Sequence, residues 1–154
     1  MLPLEKTPVF QGFTEGELEE ALALLQNRTK AYQKDQTIFL EGDFVSELGI
    51  VLEGSVTIER IDYQGNKNIL GINSAGQVFA ESYAMTGKPL MIDVTANEDC
   101  RIFFLDIQQL KANPVQRPWV TKLLFNLVMI SNCKNLELSS RSFHTVSKQI
   151  RNGI

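Results

Sequence analysis

The chain has 154 residues, of which 44% are hydrophobic and 21% charged, a composition typical of one folded domain and not of a disordered segment. Its longest apolar run is far shorter than the ~20 residues of a membrane span, and its first residues lack the layout of a secretory signal, so we expect a cytoplasmic protein with no membrane segment. The net charge of −3 is unevenly divided, because residues 1–112 hold 9 basic and 17 acidic residues whereas residues 113–154 hold 6 basic residues and one acidic residue, Glu137.

The first element is predicted to be a helix. Residues 14–17 have the pattern of a capping box, in which the Thr14 hydroxyl accepts a hydrogen bond from the Glu17 backbone N–H and the Glu17 side chain reaches back. Apolar residues then recur at helical spacing. The pattern predicts a helix from about Thr14 to Asn27.

The region from Arg28 to Asp106 consists of short runs rich in β-branched residues and separated by glycines, which is the pattern of strands joined by tight turns. Apolar and polar residues alternate between Leu90 and Ala96, so that run is expected to have one buried and one wetter face. Many short strands with regular turns predict a barrel or a sandwich. The predicted strands are Thr37–Leu40, Leu48–Leu52, Ser55–Ile61, Asn68–Ile72, Leu90–Ala96 and Arg101–Leu105.

A helical pattern returns with a short turn over Asp106–Ala112 and a new helix that Pro118 is suited to begin. From Trp119 to Leu138 this helix is about 20 residues, or roughly 30 Å, long, and its first half is apolar around most of its circumference. A surface helix needs only one apolar stripe. We therefore expect one face of the helix to pack on the barrel and another face to pack on a second copy of the chain, in a homodimer. The alternative is that the whole helix is buried in its own domain. The expected interface residues are Trp119, Leu123, Phe125, Leu127, Ile130 and Cys133.

Two units are expected, residues 1–112 and residues 113–154. Beyond two serines at positions 139 and 140, apolar residues at Phe143, Val146 and Ile150 predict a last amphipathic turn or two. Since the chain stops with this helix barely finished, we expect that a further segment has been cut off.

Most enzyme classes are excluded by what the chain lacks. His144 is the single histidine and Cys100 and Cys133 are the only cysteines, too few for a zinc site of the usual kind, an iron–sulfur cluster or a disulfide scaffold. The sequence also lacks the glycine-rich phosphate loops and the nucleophile elbow. We expect no enzymatic activity, no metal and no cofactor.

Four stretches of the chain, taken in order, resemble the N-terminal sensor domain of the cyclic-AMP receptor protein/FNR family of bacterial transcription regulators. The resemblance implies a mainly β fold with flanking helices: a double-stranded β-helix (a jelly-roll-like β-roll) of eight strands, with an N-terminal helix and a long C-terminal dimerisation helix. It also implies that DNA is contacted only through a domain absent from this chain. The stretches are Pro8–Phe13, Ile38–Asp43 together with Leu52–Val56, Gly76–Ser82, and Phe143–Ser147.

Gly76–Ser82 resembles the phosphate-binding cassette of that family. In the family, the glutamate that matches Glu81 accepts a hydrogen bond from a ribose 2′-hydroxyl, and an arginine nine or ten residues later binds the phosphate. Leu90 and Met91 occupy those positions here, and Ala80 replaces the usual glycine. A cyclic phosphate needs the two-pronged guanidinium, so we expect no tight binding of cyclic AMP or cyclic GMP.

The expected effector is instead an apolar or weakly polar small molecule, or none. It would lie in a hollow roll closed by the long helix, and would shift the angle between two copies of the chain. The expected ligand-binding residues are Phe79, Ala80, Glu81, Ser82, Tyr83, Leu90, Met91, Ile92, Asn126, Ser131 and Asn132.

Three other interpretations have less support in the sequence. A cyclic-nucleotide-binding module of another signalling protein, such as a kinase or a channel, would need the missing arginine. A metalloenzyme of the cupin type would need several histidines, and this chain has only His144. A naturally short protein that forms heterodimers is the third interpretation. The cations near the carboxyl end are interpreted as solvated helix faces, so this chain taken alone is not expected to bind nucleic acid.

Overall fold

The structure, a computed structural model, describes the backbone of residues 1–112 and 117–151 and the side chains of residues 1–111 and 117–134. Two short 3-10 turns, Leu4–Lys6 and Pro8–Phe10, precede the first helix. The helices are α1 (Glu15–Leu24), α2 (Glu81–Thr86), α3 (Gln108–Ala112) and α4 (Pro118–Arg151). The strands of the described residues are β1 (Asn27–Tyr32), β2 (Thr37–Phe39), β3 (Glu47–Glu53), β4 (Ser55–Ile61), β5 (Lys67–Ser74), β6 (Val78–Phe79), β7 (Asp93–Ala96) and β8 (Cys100–Asp106).

These strands form two antiparallel sheets that face each other. One sheet has the order β1-β8-β3-β6 and the other the order β2-β7-β4-β5. Side chains from both sheets meet in one buried cluster between them, as expected for a jelly-roll-like β-roll. The predicted fold class, mainly β with flanking helices, is confirmed.

Two strands of the first sheet, β3 and β8, are buried on both faces. On β3, Leu48 and Ile50 point to the helices whereas Val51 belongs to the cluster between the sheets; on β8, Leu105 points to the helices and Phe104 points between the sheets. Because both faces are covered, these strands are continuous apolar runs without alternation. The roll therefore has two cores, one inside it and one between its first sheet and the helices.

The N-terminal helix begins as predicted and ends earlier. Thr14 Oγ1 accepts from the Glu17 N–H at 3.1 Å, and Glu17 Oε1 accepts from the Thr14 N–H at 3.0 Å. The predicted end at Asn27 is wrong, since α1 stops at Leu24. The Asn27 amide donates to the carbonyl oxygens of Leu22 and Leu25, which satisfies the helix end and lets Asn27 start β1.

Two strands were not predicted, and two are shorter than predicted, of which β2 ends at Phe39 and not at Leu40. β1 is almost wholly exposed and carries polar residues, while β6 has only two residues, so neither shows a usable pattern. β7 begins at Asp93 and not at Leu90. Leu90 instead exchanges backbone hydrogen bonds of 2.8 and 2.9 Å with Gly42 and Asp43 in the β2–β3 loop.

The long helix starts at Pro118, as predicted, but does not end at Leu138. It continues without interruption through the two serines to Arg151. The predicted unit boundary at residue 113 and the side chains of Phe143, His144, Val146 and Ile150 lie outside the described residues. In the described part of the chain, no helix combines the length and the apolarity needed to cross a bilayer.

Candidate functional site

The cassette is formed by β6 and α2, which are joined at Ala80. Ala80 has φ of +63°, a left-handed conformation that costs a non-glycine residue about 1–2 kcal/mol. The Ala80 side chain is buried in the cluster between the sheets, so contacts with the surrounding side chains hold the backbone in this conformation. The sequence stretch Gly76–Ser82 thus forms the turn-then-helix geometry expected of the cassette.

Aromatic rings from both sheets pack against one another in the interior of the roll, where the sequence predicts a hollow pocket. The centroids of Phe39 and Phe79 are 5.8 Å apart, those of Phe39 and Phe104 are 5.7 Å apart, and those of Phe79 and Phe104 are 6.5 Å apart. Gly49 faces Phe79 across the β3–β6 ladder, and a Cβ there would lie 2.2 Å from the Phe79 ring. The Phe79 ring therefore occupies space that is free only because residue 49 is a glycine.

The positions that would carry a phosphate-binding arginine are apolar. Leu90 is 2% exposed and belongs to the same interior cluster as the aromatic rings. Met91 is 53% exposed, and Ile92 packs against the cluster from its edge. Lys88, the cation nearest in sequence, is exposed. None of these four side chains places a guanidinium inside the roll.

The carboxylate of Glu81 is bound by the long helix. Glu81 is 3% exposed, and Lys134 Nζ lies 2.9 Å from its carboxylate. Ser131 Oγ donates to Glu81 Oε1 over a long 3.5 Å, and Lys134 also donates to the carbonyl oxygen of Val78, the first residue of β6. The structure thus brings together two predicted site residues, Glu81 and Ser131.

Lys134 was missed by the sequence analysis. Its partner is 53 residues away in the sequence, so no local pattern links them. A usable signal was that Ser131 and Lys134 are three residues apart, which places them on one face of a helix. A lysine on the same face as a predicted site residue is a natural partner for a buried carboxylate.

The remaining predicted site residues do not converge. The Asn126 amide donates to the carbonyl oxygens of Val9 and Gln11 at 2.8 and 2.9 Å, so it fastens the N-terminal 3-10 turn to α4 and does not close the roll. Asn132 and Ser82 are exposed, because the helical phase turns them away from Glu81. Tyr83 is half-buried and packs against the edge of the interior cluster.

The described part of α4 has two apolar faces that do different things. Trp119, Leu123 and Leu127, at helical spacing, are buried in the core that α4 shares with the first sheet and the N-terminal helix. Their assignment to a dimer interface is therefore wrong, since they contact their own chain. Ile130 packs against the edge of that core. The opposite face is exposed and consists of Leu124, Phe125, Val128 and Met129.

A groove of about 960 Å³ runs along α4. On α4 it is lined by Phe125, Met129, Ile130 and Cys133, which include three of the predicted interface residues, and its other wall is the N-terminal turn and the β5–β6 connection. Phe125 is 62% exposed. The groove includes Phe125 and Met129 of the second apolar face of α4, and hereafter we call it the α4 groove.

The two lysines that border the α4 groove are both held in ion pairs. Lys122 Nζ lies 2.6 Å from Glu17 Oε1 and donates to the Gly12 carbonyl oxygen. The hydrogen bond from Lys122 lowers the pKa of Glu17 below the usual range, with further help from the Thr14 N–H. Lys134 is held by Glu81 at the other end. The groove therefore presents an apolar floor between two neutralised cations.

Comparison with known proteins gives a family for most of the β-roll. Residues 29–112 match the family described as the cyclic nucleotide-binding domain. No match was found among curated protein sequences.

Three solved structures illustrate the similarity of fold. The catabolite activator protein of Thermus thermophilus is 21% identical with a TM-score of 0.71, over 96% of this chain and 73% of that one. The sensor domain of the transcriptional regulator DNR from Pseudomonas aeruginosa is 18% identical with a TM-score of 0.63, over 94% and 89%. The regulatory subunit of a cAMP-independent protein kinase A from Trypanosoma brucei is 18% identical with a TM-score of 0.68, over 86% and 44%.

Proposed function

Because this chain belongs to the cyclic nucleotide-binding domain family, we propose that it is the effector-sensing and dimerisation domain of a bacterial transcription regulator of the cyclic-AMP receptor protein/FNR type. The observation that carries the proposal is the division of α4 into a face in its own core and a second, uncovered apolar face. An apolar face of this kind is typical of a surface that binds a partner.

The partner is a second copy of the same chain, with α4 packed against its counterpart about a twofold axis. The α4 groove supports this, because Phe125, Met129 and Cys133 line it along one side of the helix and are exposed. In such a dimer the same apolar seam is used twice. The catabolite activator protein covers 96% of this chain, which includes most of α4.

The dimer is tested by sedimentation velocity over a range of protein concentrations. We expect a dimer for the unaltered chain and a monomer for Phe125→Asp, since a carboxylate in an apolar seam would have to be desolvated. Phe44→Asp is the matched control, because Phe44 is 76% exposed in the β2–β3 loop, away from α4, and it should remain a dimer. A monomer at every concentration, or equal effects of the two variants, would contradict the proposal.

The sensing function is proposed to involve no tight binding of cyclic AMP or cyclic GMP. Leu90 and Met91 occupy the positions at which the family has its phosphate-binding arginine, and Leu90 is part of the apolar interior. An anionic phosphate beside Leu90 would lose its water without gaining a cation. The kinase regulatory subunit from Trypanosoma brucei shares the fold and is described as cAMP-independent. The proposed effector is an apolar or weakly polar small molecule.

DNA contact is proposed to occur through a separate domain and not through this chain. Residues 1–112, which include the roll, hold 9 basic and 17 acidic residues, so their net negative charge repels a polyphosphate backbone. The gene tests this directly: we expect a reading frame that continues beyond Ile154 into a helix-turn-helix pattern. A stop codon directly after Ile154 would favour a protein that acts only through association with other chains.

A further inference from the structure

One ammonium group joins three elements of the fold. Lys134 of α4 lies 2.9 Å from the carboxylate of Glu81 in the first turn of α2 and also donates to the carbonyl oxygen of Val78 on β6. Ser131, one turn earlier on α4, donates to the same carboxylate at 3.5 Å. Each of these hydrogen bonds to the Glu81 side chain thus comes from α4.

The burial of Glu81 gives this contact its energetic significance. Only 3% of Glu81 is exposed, and a buried carboxylate without a partner is strongly unfavourable. The Lys134 side chain is 40% exposed and borders the α4 groove. The same ammonium therefore has one side on a buried charge of the cassette and the other on the surface proposed to meet a second chain.

We infer that Glu81 and Lys134 form a latch that fixes the cassette helix α2 against α4, so that a change at either element is felt by the other. While the latch is closed, α4 is held to the roll by the chain's own lysine and no ligand is needed. Withdrawal of Lys134 leaves Glu81 buried without its cation, which favours movement of α2 toward water. In the proposed dimer, and resting on that proposal, the latch sets the direction in which α4 leaves the roll.

The latch makes a reciprocal prediction that hydrogen–deuterium exchange can test. Lys134→Met, a change on α4, should speed amide exchange in α2 roughly tenfold or more. Glu81→Gln, a change on α2, should speed exchange in α4 around residues 127–134. The matched control is Lys122→Met, which breaks a lysine–glutamate pair on the same helix but with α1 as the partner; it should leave exchange in α2 unchanged.

The double variant Glu81→Gln/Lys134→Met separates an electrostatic latch from a packing role of the lysine stem. If the buried charge is what destabilises Lys134→Met, removal of that charge should restore part of the protection of α2. A double variant that exchanges as fast as Lys134→Met or faster would overturn the latch. An unchanged rate in α2 for Lys134→Met, or an equal effect of Lys122→Met, would overturn it as well. If Lys134→Met does not fold, the Glu81→Gln effect on α4 decides: faster exchange supports the latch and an unchanged rate overturns it.

These readouts are independent of the proposed function. Exchange in α2 and α4 is measured on the whole chain at one protein concentration for every variant, whatever its state of association. A chain that sediments as a monomer would contradict the proposed dimer and leave the latch supported if the exchange pattern holds. A dimer with an uncoupled α2 and α4 would contradict the latch alone.

Discussion

The assignment of two different roles to the two apolar faces of α4 predicts opposite outcomes for two truncations on that helix. Leu127 is fully buried in the core that α4 shares with the first sheet, and Leu→Ala at such a site costs about 2–5 kcal/mol of unfolding free energy. For a chain of this length, each 1 kcal/mol lowers the Tm by about 2–4 °C. A mid-range cost of about 3 kcal/mol for Leu127→Ala thus lowers the Tm by about 6–12 °C.

Phe125→Ala is the matched comparison, because Phe125 lies on the same helix two residues away and is 62% exposed. Truncation of a surface residue outside the core changes the free energy of unfolding by about 0.5 kcal/mol or less. Its Tm should therefore stay within about 2 °C of the unaltered chain at low protein concentration, where association contributes little.

The assay is thermal unfolding followed by circular dichroism, at several protein concentrations. The Tm of the unaltered chain should rise with protein concentration, because binding of a second copy raises the apparent stability. The Tm of Phe125→Ala should not show this rise. The reasoning would be refuted if Leu127→Ala left the Tm unchanged, or if Phe125→Ala at high dilution lowered it as much as Leu127→Ala.

Three further outcomes are expected. Gly49→Ala should lower the free energy of unfolding by about 1–3 kcal/mol or more, because its Cβ would meet the Phe79 ring. Chemical denaturation measures this change, and Gly71→Ala in β5 is the control, because a Cβ at Gly71 would meet no other atom within 4 Å. The contact of Glu17 with Lys122, which lowers the pKa of Glu17, stabilises the fold fully above the ordinary glutamate pKa, and this contribution is lost as the pH falls through the lowered value. Stability measured against pH should therefore lose part of its acid dependence in Glu17→Gln. Burial raises the pKa of the Cys100 thiol, and nearby carboxylates add to the effect. Mass spectrometry after alkylation at neutral pH and high dilution, where the chain is not associated, should therefore find Cys100 labelled more slowly than the exposed Cys133.

The parts of the fold that could be predicted from the sequence are those in which local pattern and tertiary structure agree. The capping box fixed the start of α1, and Pro118 fixed the start of α4, because both depend on neighbouring residues only. β1 was missed because it is exposed along most of its length and its residues are polar. Its strand conformation comes from pairing with β8, which lies more than 60 residues away in the sequence.

The candidate site was harder to predict because its geometry depends on distant contacts. The sequence showed that α4 is apolar around its circumference but could not assign the faces, since Leu127 and Phe125 are equally apolar. The site of Glu81 was predicted, whereas its pairing with Lys134 was not, because the two are 53 residues apart. The contacts of Phe39, Phe79 and neighbouring side chains inside the roll depend on how the two sheets pack. No local sequence pattern indicates them.

Calorimetric titration of the purified chain with cyclic AMP and with cyclic GMP tests most directly whether the roll binds a cyclic nucleotide. We expect no saturable heat in the micromolar range for either nucleotide, because Leu90 lies in the apolar interior where a phosphate would require a guanidinium. Saturable one-to-one binding with a micromolar or lower dissociation constant would contradict it.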